Sequence, residues 1–190
     1  MLRYAFKEWA AICTALAEGR QALILRKGGI AEPSGDFQVE QTRFWLWPTY
    51  LHQNRDGLQE AAWPLLEQSE VEKPPPGIVR LSHFGEVTGI YRVRDRTRAL
   101  LLGHLHLWSK ETVAKRFDYR VPEIHVMPVR VWKAADIFEL QETPYHQGCR
   151  SWVELEKALP TDGATPVLPE STLDDLHRQL DLLLNPTAIV

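Results

Sequence analysis

Residues 37–47 read FQVEQTRFWLW, a β-branched and aromatic run in which alternation puts Phe37, Val39, Trp45 and Trp47 on one face and Phe44 and Leu46 on the other. Apolar side chains on both faces need cover on both, so this segment is expected to be an interior strand, ended by Pro48. A chain built around such a strand must form a sheet with two packed faces. At 190 residues, with 44% hydrophobic and 25% charged side chains, it has the core for one domain and ordinary globular proportions.

Helices and further strands are legible around that segment. Phe6, Trp9, Ala10, Cys13 and Leu16 recur at helical spacing and Gly19 follows as a left-handed stop, which predicts an amphipathic first helix. Residues 21–27 form a half-buried strand ending at Gly28-Gly29, and residues 33–36 turn the chain. A helix over 58–68 accommodates Pro64 only if that proline marks its first turn. The run Pro74-Pro75-Pro76-Gly77 is a rigid connector, and 78–93 is extended, with Val87, Tyr91 and Val93 on one face. Ser109 caps a short helix carrying Val113 and Phe117, and 124–132 is a fourth strand. An extended piece at 152–155 precedes a Pro/Gly/Thr linker, after which Ser171 caps a last helix striped by Leu173, Leu176, Leu180 and Leu183. The expected architecture is α+β: one domain with a mixed, mostly antiparallel sheet flanked by helices, a core over 1–159, and a linker with a C-terminal amphipathic helix over 160–190.

Several phrases, taken together, resemble a bacterial family known as domain of unknown function 1802. They are Lys7-Glu8-Trp9, LRKGGI at 25–30, FWLWPTYLHQ at 44–53, His106-Leu107-Trp108-Ser109, Arg116-Phe117 with Tyr119, and GCRSWV at 148–153. They extend over about the first four-fifths of the chain, and the segment after Pro160 falls outside them. The resemblance implies an identity and no activity.

Lys7, Glu8 and Glu18 interrupt the apolar pattern of the N-terminus, so no signal peptide is expected. The chain has no run long enough to span a membrane, and Cys13 and Cys149 form no CxxC pair; a cytoplasmic location is expected. Charge is unevenly spread. Residues 92–133 carry ten Lys and Arg against four Asp and Glu, whereas 134–190 carry three against ten. Two explanations fit: an anion site in the middle, or an acidic tail folded over a basic face.

Candidate site residues fall into groups. Arg26, Lys27, Gly28 and Gly29 at a strand end offer two cations and open amides to a phosphate, or form a plain glycine turn. The arginine-rich turn Arg92, Arg94, Arg96 and Arg98, followed by Lys110, Lys115, Arg116 and Arg120, suits a nucleic-acid backbone, with Trp108, Tyr91 or Tyr119 as faces for unpaired bases. Arg130 and Arg150 join this binding set. Glu40 sits mid-strand as a candidate catalytic acid, or as a buried partner of Arg43, Arg26 or Arg130. His52, His104 and His106 supply a base or ligands to a divalent metal if they converge near Glu40. His104-x-His106 matches no closed zinc pattern, and the sequence requires no cofactor. Cys149 beside Arg150 is a candidate nucleophile or a buried thiol.

Three functions follow from these groups. The first is a nucleic-acid-associated module that binds phosphates. The second is a metal-dependent phosphodiester hydrolase using Glu40, His52 and His104. The third is a protein-interaction scaffold that docks a partner or a second copy through the C-terminal helix. Whether the chain is an enzyme stays open at this level.

Overall fold

A computed structural model describes residues 1–27, 41–146, 148 and 151–184. In chain order the elements are β1 (Leu2–Trp9), α1 (Ala10–Ala17), β2 (Leu23–Arg26), β3 (Arg43–Thr49), α2 (Trp63–Val71), β4 (Ile78–Val87) and β5 (Tyr91–Val93). They continue with α3 (Arg96–Leu101), α4 (Lys110–Asp118), β6 (Ile124–Gln141), β7 (Trp152–Leu159), β8 (Thr165–Pro166) and α5 (Glu170–Leu184).

 The fold is a single α+β domain with a mixed, mostly antiparallel sheet, as the pattern implied.

The sheet runs β2-β6-β4-β3-β1-β7, with β5 and β8 also pairing along the long β6; β1 and β3 are its parallel pair, and the other ladders are antiparallel. β3 lies in the interior, and its two faces feed different cores. Phe44 and Leu46 join the cluster under α1, α4 and α5, while Trp45 and Trp47 join one built from Ala5, Val79, Leu81, Phe84 and Val153 of the neighbouring strands. Phe6, Phe44 and Trp152 stack in a triangle with ring centroids 4.9–5.2 Å apart. β3 continues through Pro48, which pairs in register with Glu8, instead of ending there.

The first helix is shorter than its spacing suggested. Residues 2–9 are a strand, and the helix begins only at Ala10. Ala5 and Phe6 are adjacent yet both fully buried, one in each core, so pairing with β3 and β7 covers both faces at once. A helix would bury a single stripe, and tertiary pairing overrides that local periodicity. The stop is as expected: Gly19 has φ 69°, with Gly19 N–H donating to Leu16 O and Arg20 N–H to Ala15 O, which closes a Schellman motif. Pro64 stands in the first turn of α2, and the Ser109 hydroxyl accepts the Thr112 N–H to cap α4.

The sheet is strongly curled. β2 and β1 are four ladder steps apart, about 19 Å in a flat sheet at about 4.8 Å per step. Yet Arg26 Nη2 on β2 donates to Lys7 O on β1 at 3.2 Å and to Ser151 Oγ, just before β7, at 3.1 Å. One arginine thus bridges the two ends of the sheet.

The acidic C-terminal segment folds back over the basic middle. α5 buries Leu173, Leu176, Leu180 and Leu184, with Leu184 replacing the expected Leu183 as the last member of the stripe. Arg130 pairs with Glu170, Tyr91 OH donates to Asp181 at 3.0 Å, and Arg98 Nη1 donates to Leu184 O at 2.6 Å. No helix among the described residues is long and apolar enough to cross a membrane. Gly28, Gly29, Phe37, Val39, Glu40, Cys149 and Arg150 lie outside the described residues.

Leu180 is fully buried and Leu182 is 74% exposed. Leu180→Ala is therefore expected to cost about 2–5 kcal/mol in one cooperative urea transition, and Leu182→Ala less than about 0.5 kcal/mol. A second, separate transition for the C-terminal segment would contradict this packing.

Candidate functional site

Because β1 and β3 run parallel, their carboxyl ends open at the same edge of the sheet, where Lys7, Glu8 and Trp9 face Trp47, Pro48 and Thr49. The end of β2, the Pro74–Gly77 connector and the last turns of α4 complete the walls of a cleft of about 1040 Å³. Its described lining carries the cations Lys7, Arg26, Lys27, Lys73, Lys115 and Arg116 against the acids Glu8 and Glu142. Trp9, Tyr50 and Tyr119 give it aromatic surface.

Several of these cations are held in place by the fold. Arg26 lies over the Phe6 ring at 4.6 Å, with Nη1 3.5 Å from Glu8 Oε2. Arg116 lies 3.7 Å over the Trp108 ring and donates to Leu25 O at 3.3 Å. Burial pushes its guanidinium down to about 10, opposed by Glu8 and aided by Arg26, so it stays charged at neutral pH. Lys7 donates to the carbonyls of His146 and Gly148. Lys27 donates to those of Phe117, Val121 and Glu123, which lie at and beyond the end of α4, and burial lowers its pKa. Its ammonium thus anchors a turn as well as lining the cleft.

Glu8 lies at the base of this arrangement. Its side chain is 1% exposed. Oε1 accepts the Trp9 N–H at 2.9 Å, while Oε2 is buried and has no hydrogen-bond donor among the described residues. The sequence pattern missed Glu8 as a site residue, because helical spacing over 6–16 carries no sign that residues 2–9 form a strand that buries it. The available signal was its place in Lys7-Glu8-Trp9.

The structure brings together only some of the expected residues. Arg26, Lys27, Arg116 and His52 line the cleft, His52 with φ 72°. His104 is exposed, with its ring 3.1 Å from Leu101 O, and His106 is buried; neither lines the cleft. Among the described residues no group of three His, Cys, Asp or Glu is placed to hold a metal ion. Trp108 offers no stacking face. It is 0% exposed, with Arg116 on its ring and the Trp9 ring centroid 4.7 Å away, because the strand preceding α1 and the turn preceding α4 meet there in the core. Arg130 pairs with Glu170 and does not line the cleft.

The arginine-rich turn is exposed and adjoins the cleft. Arg92 and Arg94 pair with the Glu123 carboxylate at 2.8 and 3.4 Å, and the Glu123 carbonyl accepts from Lys27. Arg96 pairs with Asp118 at 3.1 Å, next to Tyr119, and Arg98 lies 3.9 Å from Asp95. Hydrogen-bonding by Arg92 and Arg94 holds the Glu123 carboxyl below its ordinary pKa.

Removing one partner of a buried pair leaves the other charge uncompensated, so Arg26→Met is expected to lower stability by about 3–5 kcal/mol. Adding Glu8→Gln should recover part of that loss in denaturant titrations. Burial, aided by Arg116 and His104, pushes His106 down to about 4. The unfolded chain binds this proton first, so stability is full above about pH 6.5 and falls toward pH 4 by up to about 1.4 kcal/mol per pH unit. His106→Gln should flatten that slope by about one proton; His83, also pushed down to about 4 by burial, keeps some of it. An unchanged slope in the variant would remove His106 as the cause.

No curated protein matches the chain. Among solved structures it is similar to ASCH from Zymomonas mobilis, at 13% identity and TM-score 0.41, covering 67% of this chain and 66% of that one. Two ZmASCH mutant proteins from the same organism give 10% identity, TM-score 0.46 and coverage of 81% and 90%, and 11%, 0.42 and 93% and 94%. The family model matching this chain runs past Pro160 into α5, further than the quoted phrases reached. It covers residues 5–179, and the chain belongs to that family, the domain of unknown function (DUF1802).

Proposed function

We propose that the chain is a nucleic-acid-associated module that takes a single strand across the cleft, with its phosphates on the cationic rim and the arginine-rich turn. The observation carrying this is the continuity of the two basic surfaces: Glu123 and Asp118 link Lys27 and the end of α4 to Arg92, Arg94 and Arg96. The Arg96–Asp118 pair is exposed on both sides and therefore weak, so a polyphosphate backbone can exchange with Asp118 there and release counterions, while Arg92 and Arg94 stay beside the buried Glu123 carboxylate. Arg94 is 68% exposed on its side chain, and Tyr119 stands half-exposed at the rim, where a base can stack. The leucine stripe of α5 is turned inward, which leaves the scaffold proposal without its apolar docking face.

Fluorescence anisotropy with a labelled single-stranded oligonucleotide tests this across salt concentrations. Affinity should fall linearly with salt on logarithmic axes. Replacing Arg94, Arg96 and Lys115 by Gln together should reduce the slope by about 2, at about 0.7 per charge. Binding that ignores salt, or no binding at low salt, would overturn the proposal.

A further inference from the structure

A carboxylate at the base of a phosphate-binding cleft is chemically out of place, because it repels the ligand that the cations attract. Glu8 is also only half-satisfied. Oε1 takes the Trp9 N–H, while Oε2 is buried against the cleft without a donor among the described residues, and Arg26 Nη1 stands 3.5 Å away outside hydrogen-bond geometry. A buried anionic oxygen in that state is costly unless a ligand supplies the donor.

The group that the described residues do not supply is an N–H or O–H beside an acceptor. Oε2 accepts, and the neighbouring Nη1 donates. The Watson–Crick edge of a nucleobase is the complement, since each places an N–H next to a ring nitrogen or carbonyl acceptor. Aromatic surface for its faces comes from Trp9, Tyr50 and Tyr119 on the cleft walls. A phosphate fits the exposed Lys115 at the rim and not the base of the cleft.

Resting on the cleft as a nucleic-acid site, we infer that Glu8 reads an unpaired base: its Oε2 accepts an N–H from the base edge while Arg26 donates to the adjacent acceptor. Phosphate contacts then set affinity and Glu8 sets dependence on the base.

The test compares a short oligonucleotide carrying guanine with an otherwise identical one in which every base is missing, and with one methylated at guanine N1. Wild-type protein should bind the guanine form about tenfold more tightly than the other two, as one well-placed base-edge contact gives. Glu8→Gln should lose most of that ratio, and with the repelling charge gone it should bind the abasic strand at least as tightly as the wild type does. Equal affinity for guanine and abasic forms in the wild type, or an equal loss for both in Glu8→Gln, would overturn base reading while leaving phosphate binding intact. If Glu8→Gln unfolds, the methylated strand decides the matter on unaltered protein. Failure of every strand to bind would overturn the cleft proposal and base reading together.

Discussion

Arg26 is the side chain on which the arrangement of the cleft depends. It sits on one end strand of the sheet, bonds the backbone of β1 and the Ser151 hydroxyl before β7, covers the Phe6 ring and lies beside the buried carboxylate of Glu8. A ladder hydrogen bond cannot do this across the gap, whereas a planar guanidinium with five donors can serve several acceptors at once. The curl of the sheet, the Phe6–Phe44–Trp152 triangle beneath it and the position of Glu8 therefore meet at a single group.

The charge asymmetry has two structural outcomes, and both anticipated explanations have a share in it. Part of the basic segment is covered by the acidic C-terminus, as Arg130 with Glu170 and Arg98 with the end of α5 show. Another part stays exposed around Arg94 and Arg96, paired among the described residues with the buried Glu123 and the exposed Asp118. Lys27 belongs to both architecture and site: it ties down the carbonyls that end α4, and that same turn joins the cleft to the arginines.

Much of the fold was readable locally. The two-faced run ending in Phe44-Trp45-Leu46-Trp47 required an interior strand, Gly19 and Ser109 marked helix ends, and the leucine stripe marked α5, because each signal rests on backbone sterics or on a side chain's own neighbours in sequence. β1 was not readable in this way. Phe6, Trp9 and Cys13 satisfy helical spacing, and only the β3 and β7 ladders, distant in the chain, make a strand the better burial of residues 2–9.

The candidate site was legible as residue types and not as a place. Composition and spacing by themselves determined an α+β domain, its interior strand and the pool of arginines, since these depend on hydrophobic alternation and local charge. The tertiary structure decided that Trp108 is core, that His52 alone of the three cited histidines reaches the cleft, and that Glu8 lies buried beside Arg26. Those outcomes depend on which distant strands share an edge, and a long-range pairing register leaves little trace in any short stretch of sequence.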